Sequence, residues 1–350
     1  MTTASAPAMT GEQRFLAAAR REPVDATPVW FMRQAGRCLA AYRALREQYD
    51  ILTLAKTPEL CAQVTLMPIE AFDVDAAVMF ADIMLPLEPM GVELEIQPDV
   101  GPIIHNPVRT PADVDRLRLF EPEEGVGFVM DAIRLVSREL AGSKGVIGFS
   151  GAPFTLACYL IEGRPSREYA RAKSFMFAQP EAWNALMAKL SEVIVRYLRS
   201  QIAAGAQVVQ LFDSWVGALA PADYERYVKP HVAGIFGALT DVPTIHFGAG
   251  TAALLEFMAA AGGDIMSIDA HQSLNVAWAR IGYERGVQGN LDATRVLAGW
   301  GATEEGARDV LRRAGGRQGH IFNLGHGVLP DSDPDILRRL VDYVHTETSK

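Results

Sequence analysis

The sequence predicts an α/β fold, a (β/α)₈ barrel. Three observations lead there. Eight short apolar runs recur along the chain, a helical pattern follows each, and small or polar residues stand directly after each run. Runs that are continuous rather than alternating suit parallel strands buried on both faces. Eight such units in one chain of this length suit a barrel. An open doubly wound sheet is the competing architecture.

The runs are Thr27–Met32, Ala76–Ala81, Gly145–Phe149, Gln207–Phe212, Pro243–Phe247, Ile265–Ile268, Gly286–Gly289 and His320–Leu324. The first opens Pro28-Val-Trp-Phe-Met-Arg-Gln-Ala-Gly-Arg37, where bulky β-prone residues give way to two arginines four residues apart. Ala35 and Gly36 between them let the backbone turn and approach a ligand. Leu39, Tyr42, Leu45 and Arg46 follow at helical spacing, which places Arg37 at a helix start. Later helices begin on proline: Pro58, Pro180–Gln201, Pro221–Leu239 and Pro334–Val344, with Thr251–Ala261 between the last two. In Pro180–Gln201, Trp183, Leu186, Leu190, Ile194 and Leu198 share one face. Residues Gly91–Asn106 alternate around a turn and read as a β-hairpin excursion after the second strand. No composition break divides residues 11–350, so a single domain is expected behind a disordered tail of residues 1–10.

Composition narrows the function. At 49% hydrophobic and 21% charged the chain is ordinary globular material. A net charge of -9 gives no uniformly basic footprint, so nucleic acid is not an expected partner. An anionic ligand would need a local positive site. Three cysteines, Cys38, Cys61 and Cys158, form no CxxC and suit a reducing cytosol. There is no basic-then-apolar start resembling a signal peptide and no apolar run long enough for a bilayer, so a cytoplasmic protein without a membrane partner is expected. The histidines at 105, 231, 246, 271, 320, 326 and 345 make no HExxH, and no metal is expected.

Active sites of such barrels lie at the carboxyl ends of the strands. The residues standing there are Arg33 and Arg37, Asp82, Ser150-Gly151, Asp213-Ser214, Gly248, Asp269, Asn290-Leu-Asp292 and Gly325-His326-Gly327. Arg33 and Arg37 can fork onto carboxylates or phosphates, against the bland reading of two surface arginines. Asp82 ends a hydrophobic run, where a carboxylate is costly to desolvate without partners. Its bland reading is a helix N-cap, but Ile-Met-Leu-Pro is a poor helix start. His326 stands between two glycines with its imidazole uncovered and an unperturbed pKa near 6.5, though a lone histidine is usually structural. Ser214 lacks the Gly-x-Ser-x-Gly nucleophile context, which favours hydrogen bonding, and Asp213 reads equally as a helix cap. Tyr159 reads from pattern alone as a core aromatic on a helix. Gly248-Ala-Gly250-Thr-Ala-Ala253, with Asp269 about twenty residues on, imitates a dinucleotide fingerprint. It stands fifth of eight units, where a wound sheet would carry it first, so nicotinamide binding stays an alternative only.

Met32-Arg-Gln-Ala-Gly-Arg37 resembles the signature of the uroporphyrinogen decarboxylases. So do Gly148-Phe-Ser-Gly-Ala-Pro-Phe-Thr155, Phe212-Asp-Ser-Trp215, Gln288-Gly-Asn-Leu-Asp292 and Leu324-Gly-His-Gly327, in the family's order from about Arg14 onward. Two places depart from the family pattern: Cys38-Leu-Ala-Ala41 stands where Tyr-Leu-Pro-Glu is usual, and Ala293 replaces a proline. The resemblance implies a cofactor-free carboxy-lyase on a (β/α)₈ barrel, a cytoplasmic homodimer. Such an enzyme converts the four acetates of uroporphyrinogen III to methyls, giving coproporphyrinogen III and CO₂ in haem biosynthesis. Carried over residue by residue, it puts the substrate site on Arg33, Gln34, Ala35, Gly36, Arg37, Asp82, Tyr159, Ser214 and His326, with Asp82, Arg37 and Arg33 catalytic. A corrinoid-dependent methyltransferase using zinc through His and Cys would share the architecture, but it lacks the first motif, and no Cys follows position 158. A non-catalytic tetrapyrrole carrier would share the binding residues.

Overall fold

The computed structural model describes residues 8–97 and 100–350. Its centre is a curled, all-parallel sheet of seven strands in the order β1-β4-β5-β6-β7-β8-β9. These are β1 (Ala76–Val78), β4 (Gly145–Gly151), β5 (Val208–Asp213), β6 (Thr244–Gly248), β7 (Ile265–Ser267), β8 (Gly286–Gln288) and β9 (His320–Ile321). A separate sheet pairs β2 (Leu94–Gln97) antiparallel with β3 (Gly101–Ile104). Residues 98 and 99 of the expected hairpin, and residues 1–7 of the expected tail, lie outside the described residues. Thr10 is already part of the fold: it caps the helix Gly11–Ala19, accepting from Gln13 N at 3.2 Å while Gln13 Oε1 accepts from Thr10 N at 3.0 Å.

Burial explains why the runs are continuous. All seven residues of β4 are buried, because the sheet meets helices on one side and its own interior on the other. The 25-residue helix Pro180–Ala204 lays Trp183, Leu186, Leu190, Ile194 and Leu198 on the core as its periodicity predicts. Gln201 on the same helix pins β4, accepting from Phe149 N at 2.8 Å and donating to Phe149 O at 2.9 Å. The expected helix Pro221–Leu239 is two helices, Pro221–Tyr227 and Lys229–Ala238. Pro230, at the second position of the new helix, suits that break, since proline fits a first turn and not an interior. The expected helix Thr251–Ala261 begins only at Leu255. Among the described residues, no helix is long and apolar enough to cross a membrane.

The first run departs most from expectation. Thr27–Met32 forms no regular strand; only Val29 makes an isolated parallel bridge, to Phe322. Its N–H groups are satisfied largely by side chains. Asp75 accepts from Val29 N at 2.7 Å, Gln34 from Phe31 N at 3.0 Å and Asn323 from Met32 N at 3.1 Å. Side-chain acceptors complete the backbone without imposing a ladder's geometry, so the chain is free to turn at Arg33.

Asp75 is the junction of this region. It is wholly buried. Its Oδ1 takes Arg14 Nη1 at 2.7 Å, and its Oδ2 lies 2.7 Å from His345 Nε2 as well as holding Val29 N. Arg14 grips Asp25 with its remaining donors, at 2.7 and 2.9 Å. That grip outweighs burial and holds the Asp25 carboxyl down at about 2. One carboxylate thus joins the first helix, the turning segment, β1 and the last helix, Pro334–Thr348.

Candidate active site

Arg33 has φ +58, a left-handed conformation unusual for a non-glycine residue. The turn carries its side chain over Gly327: a Cβ at Gly327 would lie 2.6 Å from Arg33 Cδ and 2.8 Å from Cγ. Arg33 is therefore seated beside His326. Its charge also reaches Asp82, where it favours the carboxylate, and Tyr159. The guanidinium makes no hydrogen bond or ion pair among the described residues, and neither does that of Arg37. Both side chains are exposed. Arg37 lies in a turn ahead of the helix Ala40–Gln48, short of the helix start expected for it. Its charge is felt by the Tyr42 phenol. Gln34, between them, is wholly buried. Its amide donates to Ala76 O at 3.0 Å and accepts from Phe31 N, so its side chain braces the turn against β1. Ala35 and Gly36 are half-buried.

Asp82 stands four residues past β1 and is half-buried. Its Oδ1 accepts from Met84 N at 2.8 Å, capping the short turn that leads into Leu85–Leu87. The bland capping role is therefore real, but it occupies one oxygen. No hydrogen bond among the described residues engages Oδ2. Burial pushes the carboxyl above its ordinary range, and the Met84 N–H and Arg33 only partly offset it.

Tyr159 lies on the helix Pro153–Glu162, half-buried. Burial, and then the Asp82 charge, push its phenol upward, so it is a neutral hydrogen-bond donor. His326 is exposed at its edge. Partial desolvation and then the charge of Arg33 lower its imidazole, with Asp269 opposing, which keeps it neutral near pH 7. Ser214 follows β5 directly and is half-buried, and its hydroxyl has no hydrogen-bond partner among the described residues. Arg33, Asp82, Tyr159 and His326 thus share one electrostatic neighbourhood, with Ser214 at the adjoining strand end.

Other strand-end candidates serve the fold. Asp213 is no helix cap: it is wholly buried and accepts from Thr155 Oγ1 at 2.8 Å. Ser150 donates to Gly151 O at 3.1 Å. Asn290 donates to Asp269 O and Gln272 O at 2.8 and 2.7 Å. Asp292 caps Thr294 N at 2.9 Å. The dinucleotide imitation fails on geometry. Asp269 is buried, at 2% exposure, and holds its own backbone through Gly250 N at 2.6 Å and His271 N at 2.9 Å, so it is not presented to a ribose.

The sequence reading missed an aromatic row. Phe149, Phe212 and Phe247 stand near the ends of three neighbouring strands, β4, β5 and β6. Their rings follow at 5.3 and 5.5 Å between centroids, and His326 continues the row 6.5 Å from Phe247. A phenylalanine one or two residues before three successive strand ends was the available signal. The row is mostly buried, with Phe212 and His326 its more open members, so it forms an apolar floor next to the charged groups.

The family model described as "Uroporphyrinogen decarboxylase (URO-D)" matches residues 10–347. A uroporphyrinogen decarboxylase from Sorangium cellulosum is 55% identical over 335 residues, covering 95% of this chain and 96% of the relative. One from Carboxydothermus hydrogenoformans is 51% identical, covering 96% of each. In structure, a methyltransferase from Methanosarcina mazei superposes with a TM-score of 0.81 at 19% identity, covering 97% of this chain and 99% of the other. That likeness shows the fold alone; the sequence matches show more, and the chain belongs to the uroporphyrinogen decarboxylase family, a family of carboxy-lyases.

Proposed function

We propose that this protein decarboxylates the four acetate side chains of uroporphyrinogen III to methyls, giving coproporphyrinogen III, with no cofactor. One observation carries the reading: Asp82, with one oxygen uncommitted among the described residues, lies within electrostatic reach of the uncommitted guanidinium of Arg33. The substrate supplies the electron sink itself. Protonation of a pyrrole ring carbon makes a cation, the acetate C–C bond breaks, and its electron pair flows into the ring as CO₂ leaves. A second proton converts the resulting methylene to methyl, and loss of the ring proton restores the pyrrole. The net step consumes one proton per carboxylate. Asp82 accepts from the inward pyrrole N–H groups and stabilises the cation. Arg33 and Arg37 hold acetate and propionate carboxylates, each charged hydrogen bond contributing about 1.5–3 kcal/mol. Tyr159, Ser214 and His326 complete the polar rim. The side chain of Gln34 acts from behind, by holding the turn that aims both arginines.

The fold that carries this site is a closed (β/α)₈ barrel with a hairpin excursion, in our reading. Supporting closure, Phe322 N donates to Pro28 O at 2.8 Å on one side of the first segment, and Asp75 N to Val29 O at 2.8 Å on the other. The resemblance further suggests a cytoplasmic homodimer, a state that sedimentation of the purified protein tests.

The assay is anaerobic incubation of the protein with uroporphyrinogen III and a chelator, then oxidation and separation by carboxylate number. Stepwise seven-, six-, five- and four-carboxylate products are expected. Unchanged substrate that still binds would favour the carrier. A second prediction concerns Gly327→Ala. The new Cβ would collide with the root of the Arg33 side chain, so Arg33 must leave its seat. KM is expected to rise about tenfold or more, by loss of a charged hydrogen bond. An unchanged KM would remove Arg33 from the binding site.

A further inference from the structure

A chain of contacts leads to Tyr159 through residues that the chemistry above does not use. Asp213, wholly buried at the end of β5, accepts from Thr155 Oγ1 at 2.8 Å, and its other oxygen has no partner among the described residues. Thr155 Oγ1 in turn accepts from Trp215 N at 3.3 Å. The Trp215 indole lies between two phenols. Its centroid is 4.0 Å from that of Tyr159, with planes at 35°, and 4.8 Å from that of Tyr169, at 31°. Thr155 and Tyr159 are one helical turn apart, on one face of the helix Pro153–Glu162. One turn of that helix therefore holds the backbone of Trp215 and the next meets its ring. Tyr169 completes the stack from a left-handed conformation, φ +49, which an L side chain adopts only where its surroundings impose it.

We propose that Trp215, tethered through Thr155 to Asp213 and wedged between Tyr159 and Tyr169, is a positioning residue that sets the Tyr159 phenol for gripping the polycarboxylate substrate. This rests on the reading of Tyr159 as a substrate contact. Without the indole, the phenol has a void on one face and can swing away from its place within the electrostatic reach of Asp82. Burial holds the Asp213 carboxyl at about 7, so near neutral pH the tether is anchored by a carboxyl part of whose population is uncharged, in keeping with an interior role.

The test is a double-mutant cycle on kcat/KM with wild type, W215A, Y159F and the pair. W215A is expected to lower kcat/KM about tenfold, chiefly through KM, with W215F recovering most of it. In the Y159F background, W215A should add less than about threefold, because its route of action is already removed. An equal loss in both backgrounds, or no loss in the first, overturns the proposal. T155V cuts the tether and leaves all three rings, so it carries the same cycle if W215A does not fold. Wild-type turnover is read separately. Should the wild type bind but not decarboxylate, the cycle is run on the Kd of uroporphyrin, so the failure of the two readings is told apart.

Discussion

Asp82→Asn is expected to lower kcat at least about 100-fold, the scale seen when a group facing transition-state charge is removed. Asparagine keeps the shape and the Met84 cap, whose donor needs only one oxygen. What it removes is the negative charge that the pyrrole cation faces. KM should change much less, since the carboxylates of the substrate are held elsewhere. The pH profile gives an independent check. Burial raises the Asp82 carboxyl, so the wild-type rate should fall on acidification at a higher pH than an ordinary aspartate would give. Asp82→Asn should lack that acid limb. Near-wild-type turnover in the variant would sink the cation-stabilising role.

Asp75→Ala is expected to have the largest effect on stability, about 3–5 kcal/mol, the usual result of breaking one side of a buried charged network. Alanine leaves Arg14, Val29 N and His345 facing a void at the centre of the fold. The urea midpoint should drop accordingly, while kcat per folded molecule persists, because Asp75 touches no site residue directly. A loss below about 1 kcal/mol would mean that the network merely breaks even against its own desolvation. The neighbouring Arg14–Asp25 pair adds an acid-side signature. With Asp25 held at about 2, its contribution is present above the ordinary carboxylate value near 4 and disappears as the pH falls toward 2.

The sequence by itself determined the order of the strand–helix units, because burial on two faces writes a continuous apolar run that needs no knowledge of neighbours. It also placed Asp82, Ser214 and His326 beyond the ends of strands, and Arg33 beyond an apolar segment that makes only an isolated bridge, because a polar residue that interrupts a buried run has to find a partner or solvent there. Tyr159 came only through the family motif, because half-buried helical aromatics look alike in sequence. Tertiary structure alone decided what each polar side chain faces. Asp75 and Asn323 replace a strand ladder around Val29–Met32, which no local pattern encodes, since they lie tens to hundreds of residues from the N–H groups they accept from; Gln34, three residues from Phe31, is the local member of the set. For the same reason Asp213 and Asp269 passed as site residues until their partners were known. The stack of Tyr159, Trp215 and Tyr169 likewise joins the helix Pro153–Glu162, the segment that follows it and the turn after β5, which meet only in space. A run of side chains records how much surface is buried; which hydrogen bond is made depends on orientation across the fold, and only the assembled chain sets that.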